Sequence, residues 1–549
     1  MDTMGVTRRG VGRLVGAAAI AGLASGTAWA REAEPSAVVD TTLGKVRGYR
    51  EGAVDAYRGI PYGADTGGAR RFLPPTAASS WTGVRDCFAY GHRAPQGSIG
   101  GGIPPGVDPA VIGAVQNFMK GQMASGFEGE DCLVLNVFAP NAASGKKRPV
   151  MFWLHGGGYV IGSANEAVYE GGALAQRGDV VVVTINHRLA APGYLYLGHL
   201  DPDFARSGNN GQLDQILALQ WVRDNIAAFG GDPGNVTIFG ESGGGGKVQT
   251  LLAMPAAQGL FHKAIIQSGA GQIRGVPKAD AADFSDRLLK VLQIAPGEIR
   301  KAQAVPVADL MKAAATVQGQ LGRGARGLGP VTDGVALPVD PFDPVAAPTV
   351  SPTIPLIVGT TKDEATLFNI VDPQFGKMTL DEAQGRFRST LKDKGDEAFA
   401  FYRQQRPNEA GTWLFTSMVT ESGVWINSIR IAERKAAQNG APVFMYRLDY
   451  ETPLFGGQLR APHGLDTPMV FAHPKEFANM LGAGPDPETV SAAMVDAWTA
   501  FAHTGDPSTR GLAWPRYEPG RRDTMLFAPR SHVVSDPDGA IRAFWATRA

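Results

Sequence analysis

One stretch of the sequence, residues 238–250, contains the residue types of two different chemistries. It reads IFGESGGGGKVQT, with a lysine behind four consecutive glycines. A phosphate-binding loop requires G-x-x-x-x-G-K-[ST], but Glu241 stands at its first glycine and Val248 follows the lysine in place of a hydroxyl residue. The frame that fits is GESGG at 240–244, a G-x-S-x-G in which Ser242 would be a nucleophile on a sharp turn between a strand and a helix.

The segments that flank this motif predict the required strand and helix. NVTIF at 235–239 is β-branched and apolar, as in a buried strand, and KVQTLLAM at 247–254 is rich in helix formers. Four glycines in the first helical turn would cost roughly 2–4 kcal/mol relative to alanine. We therefore expect the surroundings of the turn to require small residues, with a flexible glycine loop as the alternative.

A serine hydroxyl needs a base, a carboxylate that orients the base, and donors that hold the oxyanion. The donors are predicted in the glycine run Gly156–Gly158, directly after the apolar run PVMFWL, because glycine backbones can turn their N–H groups toward a developing oxyanion. Glu364 follows the run IPLIVG, and carboxylates just past a strand lie at the edge where open α/β sheets build their sites. An Asp-Glu pair of this kind is more often a solvated helix start.

His463 is the candidate base, in a proline- and glycine-marked loop after the run PVFMYRL. The chain order Ser242, Glu364, His463 is the order of the α/β-hydrolases. His503 is the alternative base, although its position at a predicted helix end suits a capping role.

Continuous apolar runs recur along the chain, as in parallel strands that are covered on both faces. They are PVMFWL (149–154), DVVVVTIN (179–186), NVTIF (235–239), KAIIQS (263–268), IPLIVG (354–359) and PVFMYRL (442–448). Helical patterns lie between several of them, most clearly in Leu213–Phe229, and AVVDTTLGKVRGYR near the N-terminus predicts a hairpin. The alternation predicts an α/β fold with a mostly parallel central sheet, helices on both faces and a helical cap or flanking region over about 280–440.

The composition is that of a globular protein without a charge bias. The 549 residues are 44% hydrophobic, and 52 basic residues balance 52 acidic ones, so nothing indicates a nucleic-acid partner. No run of about 20 apolar residues predicts a membrane-spanning helix. No linker divides residues 31–549, which we expect to form a single domain.

The first 30 residues predict an export signal. Arg8-Arg9 precedes an Ala/Gly/Leu stretch, and Ala28-Trp29-Ala30 is a small-x-small cleavage site, as in twin-arginine signals. The mature protein would begin near Arg31 and be periplasmic or secreted, without a lipid anchor; a disordered basic tail is the alternative.

Cys87 and Cys132 are the two cysteines of the chain. An even number in an exported protein favours a disulfide, although their spacing does not exclude two separate buried thiols. The segment 94–129 between them is rich in Gly, Pro and Met and is predicted to be an irregular cover over a site.

These motifs together resemble the type-B carboxylesterase family, the relatives of the cholinesterases, and the resemblance covers nearly the whole mature chain. The matching segments include RFLPP, GEDCLVLNVFAP, PVMFWLHGGGY, NHRLAAPGYL, GNNGQLDQILALQWVRDNIAAFGGDPGNVTIFGESGGG, GLFHKAIIQSG, VGTTKDEATLF, APHGLDTPMVF and FAHTGDP. The resemblance implies an α/β-hydrolase fold and a serine esterase that works through an acyl-enzyme, with no metal or organic cofactor and a small-molecule ester as its partner.

The family pattern implies a role for each candidate residue. The implied roles are nucleophile for Ser242, base for His463, triad acid for Glu364, oxyanion N–H donors for Gly157, Gly158 and Gly243, carboxylates near the imidazole for Glu241 and Asp466, and the family's first disulfide for Cys87 and Cys132.

The sequence departs from the family pattern at three places. Gly243 stands where alanine is usual, and His187 replaces the tyrosine of the common NYRL, which we interpret as structural. No tryptophan lies between Cys87 and Cys132, where cholinesterases bind a quaternary ammonium on a ring face, so we expect a small or medium uncharged ester. A non-catalytic binding protein, an amide or carbonate hydrolase, and a lipase are the competing hypotheses.

Overall fold

The computed structural model describes residues 34–96, 106–107, 109–119, 125–141, 145–271, 273–322, 327–343 and 347–548. Fifteen strands lie within these residues, and thirteen of them form one large sheet. The strands are β1 (Glu34–Asp40), β2 (Lys45–Glu51), β3 (Val54–Pro61), β4 (Val84–Asp86), β5 (Val134–Pro140), β6 (Arg148–Leu154), β7 (Val181–Ile185), β8 (Gly231–Glu241), β9 (Lys263–Gln267), β10 (Val276–Pro277), β11 (Val331–Thr332), β12 (Leu356–Thr361), β13 (Val443–Leu448), β14 (Asp523–Phe527) and β15 (His532–Ser535).

Sixteen α-helices lie in the described part of the chain, many of them between the strands. They are α1 (Pro109–Met119), α2 (Gly172–Gly178), α3 (Ala190–Tyr194), α4 (Asn210–Asn225), α5 (Gly243–Leu251), α6 (Lys278–Val291), α7 (Val307–Leu321), α8 (Thr366–Asn369), α9 (Leu380–Leu391), α10 (Gly395–Gln405), α11 (Gly411–Thr420), α12 (Ile426–Ala436), α13 (Asp466–Val470), α14 (Ala478–Leu481), α15 (Pro485–Thr504) and α16 (Gly539–Ala546).

The middle of the large sheet is parallel, as the sequence predicts. Its order is β1-β2-β3-β5-β7-β6-β8-β9-β12-β13-β14-β15, with β4 beside β2, and every pairing from β7 through β14 is parallel. The residues of β6, β7 and β9 are buried throughout, because helices cover both faces of the sheet. The carboxyl ends of β6, β8, β9, β12 and β13 therefore meet at one edge, where the candidate residues follow them.

All six predicted apolar runs are strands of this parallel region, and the predicted helix 213–229 is α4 followed by a 3₁₀ turn. The predicted hairpin is β1 and β2, closed by hydrogen bonds between Thr41 and Gly44. The glycine- and proline-marked segment AYRGIPYG (56–63) is typical of irregular chain in the sequence, but its first six residues belong to β3. The register of β3 against β5 shifts between Tyr57 and Ile60, around Gly59 with its φ of +71°, and this bulge hides the alternation of a regular strand.

The predicted disulfide is not formed: Cys87 and Cys132 are two free, buried thiols. The backbone of Cys87 is held by hydrogen bonds to Arg47 and Arg58, and its thiol contacts the carbonyl of Arg85 at 3.8 Å. Burial raises the pKa of Cys87 to about 11 and raises that of Cys132 as well, so both thiols stay protonated and behave as small apolar core residues.

Two further predictions fall partly on residues that the structure does not describe. The export signal at 1–30 lies outside the described residues and stays a prediction. Of the predicted cover at 94–129, the helix α1 and residues 94–96, 106–107 and 125–129 are described. Within the described residues, no helix is both long and apolar enough to cross a bilayer.

Candidate active site

Ser242 lies on the sharp turn between β8 and α5. Its φ of +57° and ψ of −123° are unusual for a residue with a side chain, and such strain is held only where the surroundings fix the backbone. The Ser242 N–H donates to the Gln267 carbonyl at 2.9 Å, and its own carbonyl accepts from Gly246 at 3.0 Å. The turn therefore joins a strand to a helix within one residue and leaves the Ser242 side chain partly exposed.

The glycines around Ser242 lie in close contact with neighbouring segments. A Cβ at Gly244 would overlap the carbonyl of Leu154, at the end of β6. A Cβ at Gly245 would lie 2.7 Å from the Gly269 Cα, and one at Gly246 would lie 2.7 Å from the Tyr159 hydroxyl. The first turn of α5 is thus wedged between neighbouring strand ends, which explains why four consecutive glycines are tolerated at the start of a helix.

The glycine run after β6 lies against this turn. Gly157 and Gly158 have φ values of +85° and +64°, a backbone conformation that glycine adopts without strain. The Gly157 carbonyl accepts hydrogen bonds from Val160 and Ile161, which close the loop. A Cβ at Gly156 would lie only 3.6 Å from the Cβ of Ser242, so the loop borders the turn at which a serine nucleophile would need oxyanion donors.

Glu364 follows β12 and is held by three hydrogen bonds. Its Oε1 accepts from the Ser268 hydroxyl at 2.6 Å and from the Thr361 N–H at 2.8 Å. Its Oε2 accepts a short hydrogen bond from Nδ1 of His463. Because the side chain is 3% exposed, these donors fix a buried carboxylate against one nitrogen of the imidazole.

The other nitrogen of His463 faces Glu241. Its Nε2 lies 3.2 Å from Glu241 Oε1, an oxygen that has no hydrogen-bond partner of good geometry in the described part of the chain. Within that part, no hydrogen bond joins Ser242 to His463. The structure therefore brings the candidate acid and the candidate base into contact and places Glu241, the residue before Ser242, beside the nitrogen that would act as base.

Asp466, at the start of α13, lies behind this group. Its Oδ2 accepts from Gln267 Nε2 at 3.0 Å and from the Tyr446 hydroxyl at 2.7 Å. The Gln267 Oε1 in turn accepts from the Trp498 indole at 3.1 Å. Asp466 thus ties α13, which follows His463, to the ends of β9 and β13.

The buried carboxylates and the imidazole shift one another's pKa. Burial raises the pKa of Glu241 to about 8, with Asp466 and Glu364 adding to the rise and His463 opposing it. Burial alone would lower the pKa of His463, but Glu241 and then Glu364 outweigh it, so the pKa lies above its ordinary value. Burial also raises the pKa of Asp466. Perturbed groups of this kind concentrate at catalytic sites.

The two other histidines singled out by the sequence lie elsewhere. His503, the alternative base, bonds through Nε2 to the Gly178 carbonyl at the end of α2 at 2.9 Å. His187 is fully buried, stacks on His155 with ring centroids 4.8 Å apart and bonds through Nδ1 to the Arg188 carbonyl. Neither takes part in the contacts of Glu364 and His463 described above.

Sequence reasoning did not predict the residues that hold Glu364 and Asp466 in place. Ser268 and Gln267 follow or end β9, and Tyr446 belongs to β13. The sequence indicates them only weakly. Each is a polar residue toward the carboxyl end of an apolar run, and a polar residue there is consistent with an exposed strand end as well as with a functional site.

Comparisons with known proteins agree on one family. A sequence model described as the carboxylesterase family matches residues 35–542. A para-nitrobenzyl esterase of Bacillus subtilis is 37% identical over 92% of this chain and 97% of its own, and a phenmedipham hydrolase of Pseudarthrobacter oxydans is 31% identical over 87% and 92%. Among solved structures, a Geobacillus stearothermophilus carboxylesterase matches with a TM-score of 0.78 and 38% identity, over 93% of this chain and all of that one.

Alanine is usual at position 243 in the family pattern, but in this chain Gly243→Ala is expected to lower kcat by about 10²-fold with a smaller effect on KM. The loop Gly156–Gly158 lies so close here that the new Cβ would overlap the backbone of Gly158 and push the loop away. Steady-state kinetics on a neutral p-nitrophenyl ester measure this. The matched control is Gly385→Ala in α9, where a Cβ meets no neighbour within 4 Å and kcat should not change. A Gly243→Ala enzyme with wild-type kcat would contradict the close packing.

Replacing Glu241 with glutamine is expected to move the acid limb of the kcat/KM–pH profile to lower pH. The charge of Glu241 makes the largest single electrostatic contribution that raises the pKa of His463, and the base must be unprotonated to act. Without that charge, the pKa of His463 falls toward the ordinary value of about 6.5, so the neutral imidazole persists at lower pH. The control is Glu451→Gln, a surface partner of Lys362, which should leave the limb in place. A limb that stays or moves to higher pH argues against this role of Glu241.

Proposed function

The chain belongs to the carboxylesterase family and is a serine hydrolase that cleaves carboxylic esters, and we propose that Ser242, His463 and Glu364 are its catalytic triad. The observation that carries the proposal is the hydrogen bond from His463 to Glu364, next to a serine held at positive φ. The bond fixes the tautomer in which Nδ1 carries the proton and Nε2 is free to accept one.

In the first half of the reaction, Ser242 Oγ attacks the ester carbonyl while Nε2 of His463 takes its proton. For this, Nε2 exchanges its present contact with Glu241 Oε1 for the Ser242 hydroxyl. The imidazolium that forms is stabilised by Glu364, which is already hydrogen-bonded to it. Collapse of the tetrahedral intermediate releases the alcohol with a proton from His463.

The negative charge of the tetrahedral intermediate needs donors that are fixed before the reaction. The N–H groups of Gly157, Gly158 and Gly243 border the nucleophile turn and are proposed to supply them. Such donors act in a site from which water is excluded, and the loss of one typically costs 10²–10³-fold in rate. Water then repeats the cycle on the acyl-enzyme and restores Ser242.

Two observations support an uncharged substrate. Residues 88–131 contain no tryptophan that could bind a quaternary ammonium, and a related protein of 37% identity is named a para-nitrobenzyl esterase. In addition, Phe368 of α8 is 61% exposed and its ring lies 5.1 Å from the imidazole of His463. An apolar ring beside the base favours an apolar or aromatic group on the substrate.

The triad is tested with Ser242→Ala. We expect kcat to fall by about 10⁶-fold, since removing the nucleophile of such a triad leaves only the residual effect of the oxyanion donors and of binding. A fluorophosphonate probe should label the wild-type enzyme at Ser242 and leave the variant unlabelled. His503→Ala, the rejected base, is the control and should keep both activity and labelling. Ester cleavage by Ser242→Ala at the wild-type rate would contradict the assignment of Ser242 as the nucleophile.

The substrate class is tested with matched esters of one acyl group and different alcohols. We expect kcat/KM for p-nitrobenzyl and other neutral alcohols to exceed that for choline by about tenfold, because a missing cation–π contact removes on the order of 1–2 kcal/mol from cation binding. Amides and carbonates of the same acyl size measure whether other acyl compounds are used. A preference for the choline ester would contradict the proposal that the substrate is an uncharged ester.

A further inference from the structure

Lys247 is a buried lysine on the helix that begins at the nucleophile. It follows Ser242 by five residues in α5, and its side chain is 0% exposed. Its ammonium Nζ donates a hydrogen bond to the backbone carbonyl of His155 at 2.8 Å. His155 is the residue that immediately precedes the glycine run after β6.

Burial of an ammonium group carries a large desolvation cost. In Lys247 this cost appears as a pKa lowered to about 7, which the buried Glu166 only partly offsets. A methionine of similar length would fill the same space without that cost. Packing alone therefore does not account for a lysine at this position. The hydrogen bond that Lys247 donates to His155 is a contact that methionine could not make.

The loop that Lys247 holds packs backbone to backbone against α5. A Cβ at Gly243 would overlap Gly158, and one at Gly244 would lie 3.0 Å from the His155 carbonyl oxygen. Glycine contacts of this type bring two segments close together but offer no side chain to lock them. The hydrogen bond of Lys247 supplies a polar connection between the same two segments.

The loop is also held at its other end by Gln96, and the ring of His155 at its start is held by stacking. Gln96 makes two hydrogen bonds to the backbone of Gly162, at 2.8 Å to the N–H and 3.2 Å to the carbonyl. The His155 ring stacks on His187 with an interplanar angle of 12°, and Nε2 of both rings is buried without a partner among the described residues. Lys247 therefore anchors the start of a loop whose end is anchored by Gln96.

We propose that Lys247 is a positioning residue for the oxyanion site, which fixes the glycine loop through the His155 carbonyl and thereby aims the N–H groups of Gly157 and Gly158. The inference rests on the proposed role of these glycines. It assigns a function to a residue that touches neither the substrate nor the reacting atoms and that acts through one hydrogen bond on the nucleophile's own helix.

A positioning role of this kind predicts which kinetic constant changes. The oxyanion exists in the transition state and not in the bound ester, so donors that are aimed poorly lower kcat and leave substrate binding nearly unchanged. A residue that only supported the fold would lower the melting temperature and the fraction of active enzyme, without changing the ratio between transition-state and ground-state binding.

Lys247→Met removes the hydrogen bond and keeps the length of the side chain. We expect kcat to fall by about 10- to 100-fold, less than the 10²–10³-fold that follows the loss of a whole donor, with KM within about threefold of wild type. The affinity for a trifluoromethyl ketone, which forms an oxyanion on Ser242, should fall by the same factor as kcat. Lys247→Gln keeps an N–H donor and should recover part of both.

Lys435→Met is the matched control. Lys435 of α12 is 1% exposed, its ammonium donates to the backbone carbonyls of Ser351 and Pro352, and burial lowers its pKa to about 8. It is thus a second buried lysine that holds backbone carbonyls, but those carbonyls belong to the chain ahead of β12. We expect Lys435→Met to lower the melting temperature and to keep kcat, KM and ketone affinity.

The inference is overturned if Lys247→Met folds and keeps wild-type kcat and ketone affinity, or if kcat of Lys247→Met and Lys435→Met falls in parallel with their melting temperatures. It is also overturned if neither Lys247→Met nor Lys247→Gln folds, because Lys247 is then a structural residue. Inactivity of Ser242→Ala in the same assays keeps the proposed function in place in each of these cases, whereas an active Ser242→Ala would remove the function itself.

Discussion

The site depends on a contact between backbones at the point where β8 turns into α5. Four glycines open the helix, although each costs about 0.8–1 kcal/mol relative to alanine in a helix interior. A side chain on Gly243, Gly244 or Gly245 would run into the glycine loop, the end of β6 or the residues that follow β9. The sheet therefore sets the shape of the turn, and the strained φ of Ser242 is the result of strands packed on both sides of β8.

The imidazole of His463 lies between two carboxylates, Glu364 and Glu241, that differ in their hydrogen bonds. Glu364 accepts three hydrogen bonds, so its oxygens are fixed and its charge is satisfied by donors. Glu241 Oε1 has no such partner in the described residues, and burial raises the pKa of Glu241. Both carboxylates raise the pKa of His463, but Glu364 also accepts the hydrogen bond from Nδ1 and so fixes how the ring is oriented, whereas Glu241 acts on the ring from beside Nε2.

The parallel core could be predicted from the sequence because a strand buried on both faces must be continuously apolar. The six predicted runs are strands whose ends lie within a few residues of the prediction, apart from the start of β8. Strand β3 is not recognisable in the sequence for the opposite reason, because its bulge interrupts the alternation of a regular strand. The disulfide prediction was wrong because the number of cysteines and the predicted compartment do not determine the distance or the orientation between the two thiols.

The contacts that complete the site could not be predicted from the sequence, because they join residues that are far apart in the chain. Ser268 and Glu364 are 96 residues apart, and Gln267 and Asp466 are 199 residues apart, so only the order of strands in the sheet brings them together. Glu241 and Val248 exclude a phosphate loop around Lys247, but the sequence does not show that the Lys247 ammonium turns back toward the end of β6. Local motifs identify the groups that react, whereas the groups that hold them come from wherever the sheet places a neighbouring strand.

The helix α5 joins these requirements in one short element. Its N-terminus carries Ser242 and the N–H of Gly243, so the partial positive charge of the helix end lies where the oxyanion would form. One and a half turns later, the same helix carries Lys247, which reaches back to the segment with the other two donors. Because a helix is rigid over this length, the nucleophile, one donor and the anchor of the remaining donors keep a fixed relation to one another. The segment from His155 to Gly158 is therefore held at both ends, by the hydrogen bond from Lys247 at His155 and by the backbone packing against Gly243 at Gly158. A displacement of this segment relative to Ser242 must break one of these two contacts.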